Sequence, residues 1–90
     1  MTNPEVEYRV EISTDIPQPT DDEFDELVEA LRPVAGAPGA PDGTLHVTLC
    51  VDARDAPAAV NAGLEAMLVA LRRISRTAKT MSVVAAPPVD

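Results

Sequence analysis

Apolar and polar residues alternate strictly from position 6 to 13, with Val6, Tyr8, Val10 and Ile12 on one side and Glu7, Arg9, Glu11 and Ser13 on the other. A period of two with one apolar side predicts a β-strand covered on that side only. Pro17 and Pro19 are expected to break it. Thr20-Asp21-Asp22-Glu23 then reads as a capping box, in which the Thr hydroxyl and the Glu carboxylate satisfy the first amides of a helix. Phe24, Leu27, Val28 and Leu31 follow at i, i+3, i+4 and i+7, a single apolar stripe, and the helix is expected to stop near Arg32 because Pro33 has no amide to donate. Residues 33–43 are rich in turn formers, and the pattern predicts a short irregular edge strand around Val34 to Ala37 and a hairpin loop ending at Asp42-Gly43.

The clearest strand comes next, with Leu45, Val47, Leu49 and Val51 pointing one way and Thr44, His46, Thr48, Cys50 and Asp52 the other. Asp55 is placed to cap a second helix that tolerates Pro57 in its first turn. Its expected buried stripe is Val60, Leu64, Met67, Leu68 and Leu71, extended by Ile74, while its alanines raise helix propensity. Arg72, Arg73 and Arg76 complement the dipole at its C-terminal end. A last strand over about residues 80–86 is closed by Pro87-Pro88, with Met81, Val83 and Ala85 competing against Val84 and Ala86 for the core side, so its register stays open.

The order β-α-(short β)-β-α-β, with one-sided helices and half-apolar strands, predicts an α+β fold: a two-layer α/β sandwich of the ferredoxin-like kind. In that arrangement the first and third strands lie side by side at the centre. Their outward rows, Glu7, Arg9 and Glu11 beside His46, Thr48 and Cys50, then form one polar face on the side away from the helices, which is the first place to look for binding.

Composition narrows the class. The chain has 90 residues, enough for one domain spanning 1–90, and at 46% hydrophobic and 24% charged it fits a packed globule rather than a disordered chain. Tyr8 and Phe24 are its only aromatics, so the core is assembled from aliphatic side chains and the stability margin is thin, on the order of 5 kcal/mol. The net charge of −8 is lopsided: residues 1–29 hold ten acids and one base. Such a balance disfavours direct nucleic-acid binding, and the central strands lack the exposed aromatics of an RNA-binding sheet. The single cysteine, Cys50, cannot close an intramolecular disulfide, and a chain this small without staples points to a reducing cytoplasm. No apolar run approaches the roughly 18 to 20 residues of a membrane span, and the start of the chain lacks the plan of a signal peptide.

Tyr8-Arg9-Val10-Glu11-Ile12-Ser13-Thr14, Thr20-Asp21-Asp22-Glu23-Phe24-Asp25-Glu26-Leu27, Leu45-His46-Val47-Thr48-Leu49-Cys50-Val51 and Asp55-Ala56-Pro57-Ala58-Ala59-Val60 resemble a small domain in uncharacterised proteins of actinobacteria and their phages. The resemblance spans nearly all the chain and rests on propensity patterns rather than on chemistry. It implies a ferredoxin-like fold and carries over no catalytic residue.

The chemistry-bearing residues are few. His46 and Cys50 stand four positions apart, roughly 13 Å along a strand, too far to share one metal ion, so His46 reads as a polar sheet-face residue and Cys50 as a small half-buried one. The acids of the first helix lack calcium-loop spacing and read as a solvated face that feeds the dipole, with Asp22, Asp25 and Glu29 as the candidate acidic docking surface. Arg72, Arg73, Arg76 and Lys79 read as dipole complements and as partners for the acidic first third. No nucleophile elbow, phosphate loop, Cys-x-x-Cys or zinc-protease motif occurs, so no catalytic, cofactor-binding or metal-binding residue is assigned.

The expectation is a non-enzymatic protein-interaction module. It would self-associate, as a homodimer, through the open sheet face or an edge strand, with an affinity that changes on Arg9→Glu. The first alternative is an acidic, host-directed regulator docking on a basic protein surface. The second is a small-molecule binder at the sheet face near His46, which requires a concave pocket there.

Overall fold

The computed structural model describes residues 4–87. Its elements run β1 (Val6–Pro17), α1 (Asp21–Ala30), a 3-10 turn (Arg32–Val34), β2 (Ala37–Gly39), β3 (Thr44–Ala53), α2 (Ala56–Arg73) and β4 (Met81–Ala86). The strands form one antiparallel sheet in the order β2-β3-β1-β4. α1 carries the chain from β1 across β3 to β2, and α2 carries it from β3 across β1 to β4. These interleaved crossovers make the ferredoxin-like two-layer sandwich that the element order predicts.

Alternation decides which side of the sheet meets the helices. Val10, Ile12 and Ile16 of β1 and Leu45, Val47, Leu49, Val51 and Ala53 of β3 are buried together with Leu27, Leu31, Ala59, Met67, Ala70 and Leu71 from the helical layer. The capping box forms as expected, with Glu23 N donating to Thr20 Oγ1 and Thr20 N donating to Glu23 Oε1. Asp55 caps α2 by accepting from Ala58 N.

Three expectations need correction, and one is refined: β1 ends at Pro17, as expected, after a register shift against β3 between Ser13 and Pro17. In that irregular stretch the buried Thr14 hydroxyl donates to Leu45 O at 2.9 Å and accepts from Ile16 N at 3.1 Å, satisfying backbone groups where the ladder is disturbed. The short strand lies at Ala37–Gly39 rather than Val34–Ala37, because the chain after α1 first tightens into the 3-10 turn and reverses at Ala35, whose φ is 52°. In α1, Val28 is not part of the buried stripe but is exposed.

The third correction is the rotation of α2. Its buried side is Ala59, Gly63, Met67, Ala70 and Leu71, whereas Val60 and Leu64 are half-buried and Leu68 is exposed. The small residues are contact residues, not propensity filler. A Cβ at Gly63 would fall 2.8 Å from Val10 Cγ1, so the missing side chain is what lets α2 lie this close to β1. The open question of β4 is resolved: Met81, Val83 and Ala85 face the helices and pack on the core, while Ser82, Val84 and Ala86 face away.

Two stability predictions follow from these contacts. Thr14→Val keeps the shape but strands the Leu45 carbonyl and the Ile16 amide, and is expected to cost about 1–3 kcal/mol in urea unfolding, with Thr14→Ser costing less. A Cβ at Gly36 would collide with the Cβ of buried Leu31, whereas one at Gly39 meets nothing within 4 Å. Gly36→Ala should therefore lose about 1–3 kcal/mol by overpacking and Gly39→Ala no more than about 0.5 kcal/mol, read as the shift in unfolding midpoint.

Candidate functional site

The β1–β3 register builds the side of the sheet opposite the helices row by row: Glu7 stands opposite Asp52, Arg9 opposite Cys50, Glu11 opposite Thr48 and Ser13 opposite His46. β4 extends three of the rows, placing Ala86 beside Arg9, Val84 beside Glu11 and Ser82 beside Ser13. The rows read from the sequence, Glu7, Arg9 and Glu11 with His46, Thr48 and Cys50, thus share one face. Among the described residues no helix covers it.

A groove of about 450 Å³ crosses this face, lined by Glu7, Arg9, Glu11, Cys50, Val84, Ala86 and Pro87. Its charged members lie on β1 and its apolar ones cluster toward β4. Arg9 reaches Glu11 at 3.4 Å, but both side chains are well exposed, so the pair contributes little. Cys50 is a half-buried free thiol.

His46 lies outside this groove, at the other end of the face. Its Nδ1 is 3.3 Å from Ser13 Oγ, and its Nε2 is 3.1 Å from Asp42 Oδ1 and 3.4 Å from Thr44 Oγ1. Asp42 in turn accepts from Thr44 Oγ1 at 2.8 Å and from Thr44 N at 3.2 Å, and these hydrogen bonds hold its carboxyl below the usual range. The cluster pins the turn into β3, where Gly43 adopts a φ of 87°. Sequence reasoning missed it, because Ser13 is 33 positions from His46 and only the sheet register joins them. A serine, an imidazole and a carboxylate in line invite comparison with acyl-transfer sites, but Ser13 sits mid-strand between two pairing partners. The backbone amides that could stabilise an oxyanion are there engaged in the ladder. The pocket that a small-molecule reading required beside His46 is therefore displaced to the Arg9 and Cys50 rows. Among the described residues no group of three or more His, Cys, Asp or Glu side chains could hold a metal ion.

Three of the six acids of α1 are engaged by arginines. Glu23 takes two hydrogen bonds from Arg76, at 2.8 and 2.9 Å, Glu26 pairs with Arg73 at 2.9 Å, and Glu29 pairs with Arg32 at 2.7 Å. Arg73 and Arg76 thus serve as partners for the acidic first third, as their placement suggested. The Lys79 and Thr80 backbone amides donate to Asp15. Of the expected docking acids, Asp22 and Asp25 are exposed while Glu29 is committed to Arg32.

Among the described residues no helix is long and apolar enough to cross a membrane. No protein-family model matches the chain, and no curated protein matches it. Among solved structures, the crystal structure of PH0061 is similar, with a TM-score of 0.49 and 20% identity over 92% of this chain and 54% of that one. The chain spans about half the length of that protein.

The Glu23–Arg76 pair gives the face-opposite layer a measurable pH dependence. The Arg76 guanidinium, helped by the Thr20 amide, lowers the Glu23 carboxyl from 4.5 to about 2. A carboxyl whose folded value lies below its unfolded one stabilises the fold above about pH 4.5, and that contribution is lost as pH falls toward about 2. Glu23→Gln should lower stability at neutral pH and flatten the acid limb of a stability–pH curve across that window. An unchanged limb would show that the pair does not act on folding.

Proposed function

We propose that the chain is a non-enzymatic protein-interaction module that self-associates through the open side of its sheet or through an edge strand. The observation that carries this reading is the one-sidedness of the sandwich. Both helices serve one side of the sheet, and the other side carries a groove whose apolar wall includes Val84, 57% exposed. A small domain with an aliphatic core gains stability when a second copy covers such surface, because association draws the folding equilibrium toward the assembled state.

The two rival readings have less support. An acidic regulator would dock through the carboxylates of α1, and half of these, Glu23, Glu26 and Glu29, are held by arginines of the same chain, leaving exposed Asp21, Asp22 and Asp25 for the purpose. A small-molecule site near His46 needs a concavity, and the groove on this face lies at the opposite end.

Equilibrium sedimentation over a concentration series should give a mass rising toward twice that of the chain, and the thermal midpoint should rise with protein concentration. A mass that stays monomeric at high micromolar concentration, with a midpoint independent of concentration, removes the reading.

A further inference from the structure

Self-association leaves the second copy two places to go, over the open face or onto an edge. We infer that it adds to the free edge of β4, strand to strand and antiparallel, so that two four-stranded sheets run into one of eight. This inference rests on the self-association reading and specifies its contact.

Among the described residues the sheet order leaves two edges unpaired, β2 and β4. β2 is blunted: it has three residues, and its middle one, Pro38, has no amide to donate. β4 has six residues, Met81-Ser82-Val83-Val84-Ala85-Ala86, with no proline, glycine or charge in a chain that is 24% charged. Because β4 pairs with β1 on one side, every second residue turns its amide and carbonyl toward the unoccupied side. Such a row is a template for another strand, and β4 carries none of the usual devices that discourage one.

Side-chain burial points to the same edge. The inward residues of central β3, Leu45, Val47 and Leu49, are no more than 1% exposed, whereas the inward residues of β4, Met81, Val83 and Ala85, remain half-buried. The helices leave this strand partly uncovered, and the missing cover lies beyond its edge. A neighbouring strand would shield Val83 on the helical side and Val84 on the open side together.

The register is self-complementary. Residues directly opposite in an antiparallel pair point to the same side, so a two-fold axis through the seam places Val83 opposite Val83 or Val84 opposite Val84 of the second copy. Either choice keeps only uncharged β4 residues at the seam and puts all helices on one side. The two open faces then join into one surface of double width.

Charge separates this arrangement from face-to-face stacking. The open face sets Glu7, Glu11 and Asp52 against Arg9, and stacking would hold two such net-negative faces about 10 Å apart, near the screening length in physiological salt. In the edge pairing, the nearest equivalent acids are the Glu11 side chains, three strand spacings apart when Val84 is on the axis. That is about 14 Å, beyond the screening length.

The test uses the full chain carrying Ser82→Lys with Val84→Lys. Both positions are exposed, and the pair sets like charges opposite one another in either register. The dimer should weaken by about tenfold or more, with the monomer's circular dichroism retained. In the unaltered chain, hydrogen exchange should show β4 amides gaining protection as concentration rises. If the lysine variant leaves the dimer intact while Arg9→Glu disrupts it, the contact is the face, and the edge inference falls while self-association stands. If the lysine variant does not fold, the exchange measurement decides, and β4 protection that ignores concentration overturns the inference. A monomeric unaltered chain removes both.

Discussion

A slip of one residue between β1 and β3 would set their apolar rows on opposite sides of the sheet, turning either Val10 and Ile12 or Leu45, Val47 and Leu49 to water and the polar row of the same strand to the helices. The pairing of these two central strands therefore fixes everything else about the molecule. It sets which side the helices must cover, which residues line the groove, and which side β4 must present when it adds to β1. Their long antiparallel register, from Val6 opposite Ala53 to Ser13 opposite His46, is backed by apolar rows on both strands that the helices bury. Where alignment finally changes, between Ser13 and Pro17, a buried hydroxyl from Thr14 bridges to Leu45 and Ile16 instead of leaving the backbone unpaired.

The helical layer is held by two different devices. α2 lies close to β1 because Gly63 and its alanine neighbours leave room for Val10, a contact made of small residues rather than large ones. α1 is fastened by Glu23 and Glu26, which meet Arg76 just beyond α2 and Arg73 at its last residue. Two of the acids that make the first third of the chain so negative, Glu23 and Glu26, thus tie α1 to the end of the α2 segment. They meet arginines that are remote in sequence, and a charge count by segment cannot register that pairing.

What the sequence made legible was whatever a local period encodes. Alternation at Val10, Ile12, Leu45, Val47 and Leu49 and the capping box at Thr20 and Glu23 are local signals, and each reappears where it was read. The order of elements then sufficed for the topology and for the shared face of Arg9 and Cys50. Errors arose where geometry between elements overrode local hydrophobicity. Leu68 is more apolar than Gly63, yet Gly63 is buried and Leu68 is not, because the separation of helix and sheet rewards the absent side chain. Val28 of α1 is exposed as well. The His46 cluster was invisible for a different reason, since Ser13, Asp42 and Thr44 reach it through a sheet register and a turn rather than through a motif.

The two edges of the sheet show why its two ends differ in chemistry. β2 follows a 3-10 turn and an Ala35 in the left-handed region, and a strand entered that way is short, with Pro38 cutting its donors further. β4 is entered from a stretch anchored by Asp15 at the Lys79 and Thr80 amides, which aligns it to pair with β1 from Thr14 to Arg9. Its inward Met81, Val83 and Ala85 and its outward Ser82, Val84 and Ala86 are all uncharged, so neither of its sides carries the charged marking that tells a solvent-facing strand from a covered one. That same ambiguity blurred its period in the sequence. A strand whose two sides are both suited to burial, at the border of a sheet with one bare face, is the place where this fold meets its surroundings with the least cost of desolvating charge.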